Sequence, residues 1–124
     1  DNDPSDFNGH GTHVAGTIAA AGNNSVGVTG VMWTARIMPV RVLDADGSTT
    51  TARSIAGITY AKNNGAKITN YSIGGYSFDQ AQLDAITAFG QAGGLFVASA
   101  GNETNNNDTT PSYPVRSAGS VSCF

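Results

Sequence analysis

Apolar and polar positions follow two rhythms along this chain. In Thr51–Asn64, Ile55, Ile58 and Ala61 recur at three-residue steps, the spacing that gathers side chains on one face of a helix. Asn64-Gly65 closes that stretch as a C-cap. Asp79–Gln91 repeats the pattern with Leu83, Ile86 and Phe89 on one stripe, again stopped by glycines. Short apolar runs lie before, between and after these helices: ARIMPVRVL (35–43), AKITNYSI (66–73) and LFVASA (95–100). Each is predicted as a buried strand, although Pro39 removes a ladder donor from the middle of the first. A further helix is expected over Thr12–Ala20, where Val14 and Ile18 stand among small residues. The polar stretches AGNNSVGVTG (21–30), DADGST (44–49) and GNETNNNDTTPSYP (101–114) read as loops and turns.

Strands that alternate with helices of about a dozen residues imply right-handed crossovers and parallel pairing. The expected fold class is therefore α/β, a parallel β-sheet with helices on both faces. There is no internal repeat, and no shift in composition marks a second domain. In such sheets ligands gather beyond the carboxyl ends of the strands. DADGS, SIGG and SAGN follow the three predicted strands there, and all are built of small residues that let another backbone approach. A groove lined by backbone fits an extended polymer such as a peptide better than a nucleotide.

Composition narrows the classes further. The chain has 124 residues, of which 40% are hydrophobic and 12% charged, enough apolar surface for a packed core. A net charge of −3 without a basic patch argues against nucleic acid as a main partner. No apolar run approaches the roughly 18 residues needed to cross a membrane. Cys123 is the only cysteine, which excludes an intrachain disulfide and a cysteine-cluster metal site.

The candidate chemistry starts at GHGTHVAGTIAA (9–20), where His10 and His13 sit three apart at the head of a predicted helix. Three roles compete for such a pair. Both histidines can be packing or capping residues. As neighbours on one helix face they can hold a metal, although zinc then needs a third ligand and the chain has no further histidine. Or one can be a general base at a helix N-terminus, where the dipole disfavours the imidazolium and helps keep the ring neutral.

HGTHVAG (10–16) resembles the histidine motif of the subtilisin-like serine proteases, the subtilases. NYSIGG (70–75) is similar to the family's substrate-binding segment and ASAGN (98–102) to the segment that ends in its oxyanion asparagine. RVLDADGS (41–48) resembles the strand and turn that pair with a bound peptide. The four motifs occur in the family's order, and the resemblance runs from about residue 5 to about residue 114. It implies the subtilisin-like three-layer architecture, incomplete here, and secretion from the cell. It gives His10 the role of general base, His13 a structural role, and Asn102 that of oxyanion donor, an amide that can hydrogen-bond a developing negative charge without titrating. Leu43, Gly47, Ser48, Ser72, Ile73, Gly74, Ser99 and Gly101 fall on the family's substrate-binding positions, where an extended polypeptide gains ladder hydrogen bonds independent of its sequence. GNNSVGV (22–28) resembles a calcium-binding loop, with Asn24 giving its side chain and Val26 and Val28 their carbonyls.

Two of the family's motifs have no match. The aspartate of an Asp-Ser/Thr-Gly motif belongs upstream of the histidine, and the serine of a Gly-Thr-Ser-Met-Ala motif downstream of the asparagine. Asp1, Asp3 and Asp6 stand too close to His10, and Ser117, Ser120 and Ser122 lie in RSAGSVSCF, which carries no nucleophile motif. That tail also departs from the family pattern, in which a further strand follows YP, and Cys123 within it has no assigned role. The expectation is that residues 1–124 form the central part of a subtilase catalytic domain. Alone, such a piece lacks protease activity, needs no cofactor for chemistry, and self-associates through open sheet edges. A second expectation from the same residues is a non-catalytic peptide-binding domain derived from a subtilase; retention of His10 and Asn102, which a bare groove does not need, weighs against it.

Overall fold

The computed structural model describes residues 3–116 and 121–123. The chain divides into two compact units, Asp1–Thr49 and Thr50–Phe124.

The first unit holds one helix, α1 (His10–Ala19), which begins two residues before the predicted start at Thr12. Its N-cap is Gly9, with φ +95°, a left-handed conformation that a side chain would oppose. Val14 and Ile18 are half-buried, as the sequence pattern anticipates. The chain then doubles back on the end of the helix: Gly30 donates to Ala20 O, Val31 to Thr17 O and Met32 to Ile18 O, at 2.9, 3.1 and 2.9 Å. The turn expected at 44–49 is present, with Asp44 N–H on Ser48 O at 2.8 Å and Gly47 N–H on Asp44 O at 3.0 Å.

The strand expected over residues 35–43 is not formed. The segment carries no strand pairing, and Ile37 and Met38 are 44% and 40% exposed. A β-strand is defined by a hydrogen-bonded neighbour, which an apolar run cannot announce by itself, and Pro39 has no N–H to offer one. The segment is tied by side chains instead. The Arg41 guanidinium donates to Ser5 O at 3.0 Å and lies over the Phe7 ring, 4.8 Å from its centroid.

The second unit follows the predicted α/β order: α2 (Thr51–Asn63), β1 (Ile68–Tyr71), α3 (Gln80–Gln91) and β2 (Leu95–Ala98), then β3 (Val121–Cys123). Both helices start on side-chain caps, the Thr50 hydroxyl accepting from Arg53 N–H and the Asp79 carboxylate from Gln82 N–H. Such caps satisfy donors that the first turn leaves unpaired. The sheet is parallel in the order β1-β2-β3, with Ile68 opposite Leu95 and Tyr71 opposite Ala98. β3 corrects the expectation that the tail departs from the family pattern, because Val121–Cys123 pairs in parallel with β2. The tail lacks the long apolar signature of a strand, so only the pairing reveals it. Asp1, Ser117 and Ser120 lie outside the described residues.

The core of this unit consists of Ile58, Tyr71, Ile86, Phe89, Phe96, Ala98 and Val115. Ile58, Ile86 and Phe89 are the stripe residues read from the helical periodicity, each worth roughly 1.5–3 kcal/mol when buried. One polar group shares this core. The Tyr71 hydroxyl lies 2.7 Å from buried Ser54 Oγ on α2 and accepts from Gln82 Nε2 on α3 at 3.2 Å. A single phenol oxygen thereby ties both helices to the last residue of β1.

Candidate active site

His10 is the first residue of α1 and its side chain faces solvent. The turn that delivers it is held by two polar side chains. Asn8 accepts from His10 N–H at 3.3 Å and donates to Ala45 O at 3.1 Å, which fastens the turn to the 44–48 loop. Asp6 accepts through Oδ1 from Asn8 and Gly9 N–H at 3.0 and 2.8 Å. Through Oδ2 it accepts from Thr12 N–H and the Thr12 hydroxyl at 2.8 and 2.7 Å. The Gly9 N–H first, then the Thr12 hydroxyl and N–H, hold the Asp6 carboxyl far below the usual carboxylate range. His13 N–H makes an early helical bond to Gly9 O at 3.0 Å, and its side chain is exposed rather than packed.

Beside this turn, Gly47 is left-handed at φ +82°, and a Cβ there would stand 3.2 Å from Asn8 Nδ2. Ser48 is anchored to Asp46 Oδ1 by its N–H at 3.0 Å and its hydroxyl at 2.7 Å. Leu43, just before the loop, is half-buried.

In the second unit the carboxyl ends of β1 and β2 carry the other motifs side by side. Tyr71 and Ala98 are paired, and Ser99 N–H donates to Tyr71 O at 3.2 Å, so Ser72–Gly74 and Ser99–Asn102 leave neighbouring strands together. Asn70 Nδ2 donates to Ser72 Oγ at 2.9 Å, and Ile73 packs against the core. Gly74 and Gly75 are exposed; Gly75 forms an antiparallel bridge with Tyr113 through bonds of 3.0 and 2.7 Å.

Gly101 has φ +94°, a left-handed conformation that favours glycine, and the nearest group a Cβ would meet is the movable end of the exposed Glu103 side chain. Glu103 Oε2 accepts from Asn102 N–H at 2.8 Å, and the Asn102 side chain is exposed. Asn107 Nδ2 donates to Ala100 O at 2.9 Å, while Arg116 Nη1 donates to the carbonyls of Asn107 and Asp108 at 2.7 and 2.5 Å. The polar segment that the sequence marks as a loop thus grips, through Asn107, the backbone leading to Asn102.

The calcium candidates lie in the first unit. Asn24 Oδ1 accepts from Val26 N–H at 3.0 Å, and Asn23, Ser25 and Gly27 have φ of 55°, 59° and 58°. Val26 and Val28 are 73% and 78% exposed. The donors available here are hard oxygens, an amide and carbonyls, the type calcium takes. Among the described residues no group of three or more His, Cys, Asp or Glu is gathered as a metal site.

Asn8, Glu103 and Asn107 were not singled out by sequence reasoning, and Asp6 was considered only as a triad aspartate and set aside. For Asp6 a signal existed: a carboxylate a few residues ahead of a helix whose N-cap is glycine.

A parallel sheet with small-residue segments at its strand ends and helices between the strands defines an α/β layer protein. The chain belongs to the subtilase family of serine peptidases, whose sequence model matches residues 1–123. It is 44% identical over 114 residues to thermitase of Thermoactinomyces vulgaris, a match covering 92% of this chain and 40% of thermitase. It is 42% identical over 116 residues to subtilisin Savinase of Lederbergia lenta, covering 94% and 42%. The crystal structure of a cold-adapted subtilisin-like serine proteinase superposes with a TM-score of 0.80 at 36% identity, covering 94% of this chain and 40% of that one. The chain therefore spans about two-fifths of the length of these relatives.

Proposed function

We propose that this chain is the central part of the catalytic domain of a secreted endopeptidase that hydrolyses peptide bonds in polypeptides. It supplies the general base, His10, and the oxyanion donor, Asn102; sequence flanking it supplies the aspartate and the nucleophilic serine. The observation that carries this is the side-by-side exit of Ser72–Gly74 and Ser99–Asn102 from paired strands. Two such segments offer backbone donors and acceptors to an extended peptide, which adds to them as a strand. By the same family resemblance, Leu43, Gly47 and Ser48 of the first unit are assigned to more distant substrate residues.

In the reaction, the serine hydroxyl attacks the scissile carbonyl while His10 takes its proton, and His10 then returns that proton to the leaving amine. Asn102 donates from its side-chain amide to the carbonyl oxygen as it becomes an oxyanion, a charge that exists only on the way through the tetrahedral state. The bond from Asn107 to Ala100 O, with Arg116 bracing the Asn107 and Asp108 carbonyls, would limit the movement of that donor. Without the aspartate and serine the isolated chain has no turnover.

The test is made on the full-length protein. It reacts with a fluorophosphonate serine probe, and Asn102→Leu lowers kcat by about 10²–10³-fold with little change in KM; the magnitude is subtilisin's own, carried over to this family member. Absence of labelling would leave a groove that only binds peptides, whereas full turnover in Asn102→Leu would remove Asn102 from the oxyanion role.

For calcium, Asn24 would give Oδ1 and Val26 and Val28 their carbonyls, and the ion would tie down the 22–28 loop. Chelation with EGTA is expected to lower the thermal midpoint and to speed autolysis of the loop. A midpoint that does not respond to EGTA or to added calcium excludes this site.

A further inference from the structure

The start of α1 contains a conflict that the sequence resolves from outside the helix. Gly9 occupies the N-cap because its φ of +95° suits glycine, and glycine has no side chain with which to cap. The donor that a cap residue ordinarily satisfies, the N–H of the third helical residue, belongs to Thr12. Asp6 takes it at 2.8 Å, together with the Thr12 hydroxyl, and its other oxygen takes the N–H groups of Asn8 and Gly9. A Cβ added at Gly11 would stand 3.6 Å from Asp6 Oδ2, so the carboxylate lies against the backbone on both sides of residue 10. The negative charge also stands where the helix dipole favours it.

We propose that Asp6 is a positioning residue for His10: by gripping the backbone at Gly9 and at Thr12 it fixes the direction in which the imidazole leaves the helix. The proposal rests on the assignment of His10 as general base. It explains why four donors converge on one exposed carboxylate, when a single bond would end a helix. A serine or threonine at position 6 has one oxygen and cannot span both sides. Catalysis by a base depends steeply on geometry, an error of about 1 Å costing up to about 10²-fold in rate. Loss of the grip should therefore appear in turnover rather than in substrate binding.

The experiment compares Asp6→Ala, Asp6→Asn and Thr12→Val in the full-length protein, with His10→Ala as reference, and counts active sites by burst titration. Asp6→Ala is expected to lower kcat per titrated site by about tenfold, with KM held within about twofold. Asp6→Asn keeps one acceptor oxygen and falls between that variant and the parent. Thr12→Val removes one of the four bonds and lowers kcat by about twofold. If only the number of titratable sites or the thermal midpoint falls, and each remaining site turns over at the parental rate, Asp6 is an ordinary helix cap and the proposal fails. Should Asp6→Ala yield no titratable sites, the other two variants decide by the same readout. Full activity in His10→Ala would place the failure earlier, in the base assignment, and remove both.

Discussion

Peptide hydrolysis by the full-length protein is expected to collapse in His10→Ala, while His13→Ala stays within about threefold of the parent. The two histidines share a helix and a three-residue spacing, yet their positions differ. His10 is the first helical residue, delivered by a turn that Asp6 and Asn8 hold. His13 lies one turn further on, and only its backbone takes part in that arrangement, through the bond to Gly9 O. A positioned acid–base group contributes about 10²–10⁴-fold, and because base and nucleophile act as one unit the loss reaches the upper end or beyond. Steady-state kcat on a peptide anilide measures it. A residual rate above a tenth of the parent's would remove His10 from the mechanism.

Phe96→Ala is expected to destabilise the protein by about 3–5 kcal/mol. The Phe96 ring is fully buried in β2, and its centroid lies 5.5 Å from that of Tyr71 on the neighbouring strand. It shares one buried cluster with Ile58, Ile86, Phe89 and Val115, so truncation leaves a cavity inside packed surroundings. The urea midpoint reports the change, with exposed Thr87→Ala on α3 as a control expected within about 0.5 kcal/mol. A loss below about 1 kcal/mol would mean that the ring is not packed as described.

The elements that the sequence announces well are those whose signals are local. α2 and α3 differ by one residue or less at each end from the periodicity and the Asn and Asp punctuation around them. β1 and β2 fall inside the predicted runs, shortened to the residues that find partners. Residues 35–43 and 121–123 exchange places: the apolar run is unpaired and the polar tail is a strand, because pairing is a property of two segments and neither sequence contains the other. Within the candidate site, the motif residues were legible from their resemblance to the family. The supports were hardly so, with Asp6 alone leaving a signal by its place shortly before a glycine-capped helix. Asp6 and Asn107 act by accepting or donating to backbone several residues away, and side-chain identity alone does not say which backbone that is.

The Tyr71 hydroxyl sets a rule of inheritance for this unit. Ser54, Tyr71 and Gln82 belong to three different elements and meet at one oxygen. A change at position 71 strands the buried Ser54 hydroxyl, which must then bear its desolvation, while a change at 54 or 82 leaves the phenol with its other partner. Position 71 is therefore the one of the three whose change costs most. The residue next in the chain, Ser72, begins the segment proposed to meet substrate, so the same constraint stands one residue away from it.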